Sequence, residues 1–326
     1  MKKAILGGVI ATVIGITGYI QYASQYPEVV SNDVVLRAAG IEEEVAKKVV
    51  GDTTTAALIY SVETLMNKPG GYQSNDILVK MKLYDNMPNF EKGVIFMARD
   101  LANAMRLEMS RSQSQSIEDP SLKVATPNLN FDTDSWFLPS TESRYSDGTK
   151  GFRDYLKRIT DPTDRNAQFY ARADNLTYWL DLVSKRLGSY SQRLSASIDR
   201  ERLNTDLAGD SNAEQSTVSN QSVEVKTDWM LIDDTFWEAR GGCWALIQYL
   251  RAVEEDFASV LEDKNALVSL RQVIRELEGT QQTMWSPMVF NGAPFGIVGN
   301  HSLSMANYIS RANAAIIDLR DLLNRG

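Results

Sequence analysis

Acidic residues are the side chains of this sequence with the clearest potential for chemistry, and two of them alternate in one predicted loop. Asp132 and Asp134 lie in the stretch from Asn130 to Trp136, and EF-hand loops bind Ca²⁺ with acids at such a spacing. The turn glycine and the distal glutamate of an EF-hand are missing. We therefore favour helix capping and turn hydrogen bonds here, and we predict no metal site.

Two further polar pairs could carry a function. Asp233 and Asp234 precede a predicted helix, and paired acids can divide acid and base duties. Acids at a helix N-terminus also cap the helix and complement its dipole, which is the role we favour. Arg172 and Asp174 stand near a predicted heptad seam, where they could form a buried network that fixes register. A catalytic role for that pair would need a cleft.

The sequence has one Cys, Cys243, and one His, His301. Multi-thiolate and multi-histidine metal sites and an intrachain disulfide are therefore excluded. Cys243 falls on a heptad position and is predicted to be buried and inert. His301 is predicted to be a structural group at the start of the last helix. Nucleophile-elbow, Walker and dinucleotide motifs are absent, so we predict no catalytic residue and no cofactor.

The elements that must position these residues are predicted to be helices. The chain has 326 residues, of which 43% are hydrophobic and 23% charged, enough to bury a sizeable core. The net charge of -8 argues against nucleic acid as a partner. From Ala23 onward, five apolar stripes follow steps of three and four residues, which predicts helices packed at shallow angles. The predicted fold class is all-α, an elongated antiparallel bundle with heptad-like packing over residues 23–326.

Breaks between the helices follow from polar and turn-forming residues. We predict a helix near 140–159 and a long helix that begins near Asp164. Residues 118–139 contain three prolines and are predicted to form a long ordered loop. Residues 204–228 are polar and are predicted to be a flexible hairpin connection. Residues 286–300 are apolar for a loop, so we expect them to pack on the bundle or to form a contact surface.

The N-terminus resembles a membrane anchor. Residues 4–20 carry no charge and follow Lys2 and Lys3, and Gln21 and Tyr22 would extend the run into the interface. We predict a transmembrane helix over residues 1–22 that contacts the lipid bilayer through residues 4–22. The positive-inside rule then predicts a cytoplasmic N-terminus and a periplasmic C-terminal domain. A cleaved signal peptide is the alternative, although the cleavage region fits poorly.

Small residues share one face of this predicted helix. Gly7, Ala11 and Gly15 are spaced by four, and small residues let helices approach closely in a bilayer. Self-association through this face is one hypothesis. The other is that glycine is simply frequent in such helices.

Several strings of the sequence resemble a known family. They are residues 71–76 (GYQSND), 85–93 (DNMPNFEKG), 130–136 (NFDTDSW), 169–176 (FYARADNL), 186–195 (RLGSYSQRLS) and 306–313 (ANYISRAN). Together they resemble the proteobacterial membrane-anchored family known as domain of unknown function 2333. The resemblance covers most of the chain. It implies a protein of the Gram-negative inner membrane and brings no catalytic residues.

Three functional hypotheses follow. The leading one is a non-enzymatic structural or scaffolding component of the bacterial inner membrane, a homo-oligomer or part of an envelope-protein complex. The second is a periplasmic cell-wall or lipid hydrolase whose candidate acids are Asp76, Asp85, Asp132 and Asp134; it requires a cleft with convergent acids. The third is a ligand-binding sensor with a pocket inside the bundle, which requires an internal cavity lined by Trp and Tyr.

Overall fold

The computed structural model describes residues 12, 15, 18–19, 22–41, 49–76, 85–111, 117–164, 166–197, 200–203, 222–225, 228, 231–286, 288–293 and 297–325. The helices are α1 (Asn32–Ala38), α2 (Asp52–Asn67), α3 (Asn86–Ala104), α4 (Pro120–Leu129), α5 (Thr141–Thr160), α6 (Ala173–Ser195), α7 (Ile232–Asp256), α8 (Ala258–Asp263), α9 (Leu267–Gly279) and α10 (His301–Asn324). A π-helical turn, Met105–Met109, extends α3, and two short strands, β1 (Arg200–Leu203) and β2 (Ser222–Val225), pair with each other.

The helices pack around one core, with α7 at its centre. Helix α7 packs most extensively on α3, while α6 and α9 pack on α10 and α4 packs on α5. The predicted stripe of α7 is buried along its length, including Cys243, and so is the stripe of α10 from Met305 to Leu323. The prediction of a helical fold is therefore confirmed. The elongated antiparallel bundle with heptad-like packing stays a prediction.

Helix α4 lies inside the segment that was predicted to be a loop. Asp119 caps it by accepting hydrogen bonds from the backbone N–H groups of Ser121 at 2.9 Å and Leu122 at 3.2 Å. Pro120 occupies the first turn, where its missing N–H costs nothing. The prolines were interpreted as breaks, but this one begins a helix.

Two other boundaries differ from the sequence prediction. Helix α6 begins at Ala173 rather than near Asp164, because Tyr170 donates its N–H to Met109 O at 2.7 Å and keeps the preceding chain extended. Between α6 and α7, β1 and β2 form an antiparallel pair with Arg200 opposite Val225 and Leu203 opposite Ser222. Residues 204–221, the larger part of the connection predicted to be flexible over 204–228, lie outside the described residues, whereas β2 lies within that connection.

The predicted membrane topology needs correction. Most of residues 1–22 lie outside the described residues, and in the part of the chain that is described no helix has the length and apolar character needed to cross a membrane. A spanning helix needs about 20 mostly apolar residues in a row, and charged or polar residues interrupt the apolar positions of the long described helices. The predicted location in the bacterial inner membrane, with a periplasmic domain, is therefore wrong on this evidence.

Candidate functional site

A groove forms along a second face of helix α7, next to the buried stripe. Trp237, Arg240, Trp244, Ile247 and Arg251 are spaced by three and four residues, which aligns them on one side of the helix. All five line a cavity of about 690 Å³. A volume of this size is typical of small-molecule sites.

The N-terminal segment supplies the second wall, and we call residues 24–30 the strap. The ring of Tyr26 stacks on Trp237 with 4.4 Å between ring centroids and 7° between planes. The Gln248 amide, with its nitrogen toward Val30 O, exchanges two 3.0 Å hydrogen bonds with the Val30 backbone. Arg251 donates a further bond to Val30 O at 3.2 Å. These bonds hold the strap along α7 in an extended conformation.

The third wall is the segment after α9, and we call residues 282–286 the divider. Arg240 Nη2 donates to the carbonyls of Gln281 at 3.1 Å and Gln282 at 2.9 Å. The Gln281 amide donates back to Arg240 O at 3.0 Å. The side chain of Arg240 therefore connects helix α7 to the divider. We call the space between the strap, α7 and the divider the aromatic groove.

Arg240 places a positive charge in this groove, whose lining also includes Arg251 and the acids Glu28 and Glu278. Its guanidinium is half-buried and lies 5.6 Å from the Trp237 ring centroid, a cation–π distance. Burial lowers the pKa of Arg240 from its usual value, but arginine stays charged at neutral pH. No carboxylate among the described residues pairs with Arg240, whereas Arg251, in the same groove, pairs with Glu278 at 2.7 Å.

Two indole N–H groups beside the groove also lack a hydrogen-bond partner among the described residues, and both are shielded from solvent. Trp237 and Trp244 are buried, and within the described structure Nε1 of each makes no hydrogen bond. Burial raises the pKa of Tyr26, so its phenol stays neutral. A stacked aromatic pair beside a guanidinium that has no carboxylate partner among the described residues suits a ligand that combines a planar or apolar group with an anion.

The predicted acids lie in separate settings. Asp85 joins Asp233 and Asp234, with a carboxylate oxygen of each within 4.8 Å of the others. Burial, followed by the charges of Asp85 and Asp233, raises the pKa of Asp234 to about 6. Asn89 donates to Asp234 at 2.7 Å. Three such carboxylates can share a proton or accept a divalent cation, but no other feature of the described residues at this cluster indicates a ligand.

The remaining candidate acids make local contacts. Burial, followed by the Glu142 carboxylate, raises the pKa of Asp76. Asp132 accepts the N–H of Asp134 at 3.1 Å, and Asp134 accepts the Thr133 hydroxyl at 3.1 Å. These two acids therefore contribute to turn hydrogen bonds.

The predicted polar pair forms at the start of α6. Arg172 makes two bonds to the Asp174 carboxylate, at 2.9 and 2.8 Å, and a third to buried Asn175. The Asp174 side chain is 57% exposed, so the pair lies at the surface. At the start of α10, His301 Nδ1 accepts the N–H of Phe290 at 2.9 Å, which closes the preceding loop.

Of the three small residues in the predicted self-association face, the structure describes only Gly15. Gly7 and Ala11 lie outside the described residues. Gly15 is helical and exposed, and no described atom lies within 4 Å of a Cβ built there. Self-association through these residues stays a prediction.

The groove residues were missed from the sequence although one signal was present. The groove residues follow, one residue later, the heptad stripe on which Cys243 was predicted to lie. Trp237, Arg240 and Trp244 share the same spacing. Two tryptophans flanking an arginine on one helical face are a recognisable pattern, but the strap and divider that enclose them are distant in sequence.

The fold and the groove together define a helical protein with an aromatic cleft that contains a half-buried arginine. A family model described as "Uncharacterized protein conserved in bacteria (DUF2333)" matches residues 2–326, and the chain belongs to this family. The match confirms the family resemblance of the sequence motifs and adds neither a proteobacterial origin nor a membrane anchor. No curated protein and no solved structure matches the chain.

Proposed function

We propose that this protein is a non-enzymatic ligand-binding protein whose aromatic groove holds a small organic anion with a planar or apolar group. The observation that carries the proposal is the half-buried guanidinium of Arg240, which has no carboxylate partner among the described residues and lies beside the stacked rings of Tyr26 and Trp237. The third sequence hypothesis required an internal cavity lined by Trp and Tyr. The groove has Tyr26, Trp237 and Trp244 in its lining, but it lies between the strap, α7 and the divider rather than inside the core.

The physical argument concerns charge in a partly dehydrated site. A cation held away from water is costly unless an anion or hydrogen-bond acceptors compensate it. The bonds of Arg240 to the carbonyls of Gln281 and Gln282 both use Nη2. Within the described residues, Nε and Nη1 have no hydrogen-bond partner, so they can donate to a bound carboxylate, sulfonate or phosphate. Such charge-assisted bonds contribute about 1.5–3 kcal/mol each.

A pair of fluorescent probes tests this proposal. 1-Anilinonaphthalene-8-sulfonate carries the sulfonate that N-phenyl-1-naphthylamine lacks, and otherwise the two are alike. We expect Arg240→Met to weaken binding of the sulfonate probe by about tenfold or more and binding of the neutral probe much less, since the variant also loses two bonds that hold one wall of the groove. Arg271→Met is the matched control, because Arg271 is an exposed cation paired with Glu254 outside the groove. Equal binding of the sulfonate probe to wild type and Arg240→Met would contradict the proposal.

A second candidate function is the structural role that the sequence first favoured, now without a membrane. Its support is the exposed apolar surface of the segment before α10, where Trp285 is 94% exposed and Met288, Ile297 and Val298 also face solvent. Contiguous apolar surface often marks an interface. We infer self-association of the chain through this segment. Sedimentation velocity over a concentration series should show dimers that Trp285→Ser weakens and that Trp136→Ser, on another loop, leaves unchanged; a monomer at every concentration would contradict it.

A further inference from the structure

A second cavity of about 430 Å³ adjoins the aromatic groove. Arg240, Thr283, Met284 and Ser286 line both cavities. Residues that line both cavities lie between them. The divider therefore separates the two cavities, and Arg240 lies at their junction. We call the second space the α10 cavity, since it reaches helix α10.

The α10 cavity is mainly apolar. Its large side chains are those of Phe236, Met284, Trp285, Met305 and Tyr308. No acid is among the described residues that line it, and Arg240 is the one side chain there with a permanent charge. This lining suits a hydrocarbon chain whose anionic end stays at Arg240.

The divider is held by the hydrogen bonds of Arg240 at its start and by the packing of Met284 against the core. Within the described structure, the backbones of Thr283, Met284 and Trp285 make no hydrogen bond. The two bonds from Arg240 to the carbonyls of Gln281 and Gln282 fix the start of the segment. An anion that engages Arg240 therefore binds at one of the contacts that hold the divider in place.

We infer that the aromatic groove and the α10 cavity are two halves of one ligand site. Its ligand is an elongated amphipathic anion with a planar group on one side of the charge and an aliphatic chain on the other. The planar group stacks beside Tyr26 and Trp237, the anion meets Arg240, and the chain lies in the α10 cavity. This inference rests on the proposed binding function and adds the class of ligand.

N-acyl-phenylalanines provide the probe, because they join a ring, a carboxylate and a chain of chosen length. Calorimetric titration would compare the acetyl, octanoyl and dodecanoyl compounds. We expect the wild-type dissociation constant to fall about fourfold for each methylene that becomes buried. Ser304→Phe should abolish this dependence on length without changing the affinity for the acetyl compound, because Ser304 is an exposed residue that lines only the α10 cavity of the two. Asn307→Phe, an exposed position of the same helix outside both cavities, should behave as wild type.

The outcomes separate the two proposals. If Arg240→Met leaves the affinity for the acetyl compound unchanged, the anion site itself is wrong. If the acetyl compound depends on Arg240 but chain length has no effect in the wild type, or the same effect in Ser304→Phe, the α10 cavity is not part of the site.

A second measurement does not depend on Ser304. A dodecanoyl-phenylalanine with bromine at the chain end should quench tryptophan fluorescence in the wild type, because bromine in the α10 cavity would lie near Trp285. We expect the quenched fraction to be at least halved in Trp285→Phe, a change at an exposed position. Equal quenching in both proteins would overturn the inference.

Discussion

The ammonium of Lys68 lies 2.8 Å from the carboxylate of Glu91, and the two side chains are only 2% and 0% exposed. Glu91 also accepts the backbone N–H groups of Gln73 at 3.0 Å and Ser74 at 2.8 Å and the Ser74 hydroxyl at 2.6 Å. Burial raises the pKa of Glu91, and the Lys68 charge acts in the opposite direction. The pair ties the turn after α2 to the second turn of α3.

Replacing one member of this ion pair should lower the free energy of unfolding more than replacing both members. Glu91→Leu leaves the Lys68 ammonium buried and unpaired, which should lower the free energy of unfolding by about 3–5 kcal/mol. The double variant Lys68→Met, Glu91→Leu should recover part of that loss, limited by the donors of Gln73 and Ser74. Urea unfolding of the two single variants and the double variant gives the coupling. Additive losses would show that the two charges do not interact.

Asp256 should make stability fall as pH rises. Its carboxylate accepts the N–H groups of Gly51 at 2.9 Å and Thr54 at 2.7 Å and so caps α2 from the end of α7. Burial, the largest cause, raises its pKa from 3.8 to about 7. Between those values the folded protein holds a proton that the unfolded chain has lost. The free energy of unfolding therefore decreases with rising pH in this range, by up to about 1.4 kcal/mol per pH unit.

Urea unfolding of the wild type and Asp256→Asn between pH 4 and pH 8 tests this dependence. The variant loses the titrating group. Its free energy of unfolding should therefore fall less with rising pH than that of the wild type, whatever its absolute stability. Identical slopes would show that Asp256 keeps an ordinary pKa in the folded protein.

The crossing of α3 and α7 should not tolerate a methyl group. A Cβ at Gly93 would lie 1.9 Å from Glu238 O, and one at Gly241 would lie 2.0 Å from Phe90 O. Both obstacles are backbone atoms, so the helices would have to move apart. We expect Gly93→Ala to lower the free energy of unfolding by about 3 kcal/mol.

Gly188 in α6 is the matched control for this substitution. The nearest atom to a Cβ there is Asn313 Nδ2 at 3.8 Å. Gly188→Ala should raise the free energy of unfolding by up to about 1 kcal/mol through helix propensity. Similar effects of both substitutions on thermal unfolding would mean that the close helix crossing is not present in solution.

Cys243 should report global unfolding. The thiol is buried, as predicted from its heptad position, and burial raises its pKa to about 12. The thiolate is the reactive form, so Ellman's reagent should modify the native protein only as it unfolds. The labelling rate should follow the unfolding rate measured in denaturant. Rapid labelling of a folded protein would indicate local opening of α7.

Hydrophobic periodicity in the sequence was sufficient to predict the helical fold class and much of the buried core. The α7 and α10 stripes are local properties of their segments, and both are buried where predicted. Local patterns gave wrong helix boundaries where the same residue type occurs both inside and outside helices. Pro120 begins a helix although proline often ends one, and Phe169 continues the apolar spacing of α6 although that helix begins only at Ala173. The apolar N-terminal run predicted a spanning helix, and no described helix supports it.

The candidate site was decided by tertiary structure. The sequence alone determined that Trp237, Arg240 and Trp244 share one side of a helix, since helical spacing depends only on residues close in the chain. It could not determine that Tyr26 stacks on Trp237 or that Gln281 and Gln282 accept hydrogen bonds from Arg240. The absence of an ion pair between Arg240 and a carboxylate, as far as the chain is described, likewise depends on long-range packing, since Glu278 in the same groove pairs with Arg251 instead. Such contacts join segments far apart in sequence, and their energies depend on how whole helices pack, which no local pattern of residues records.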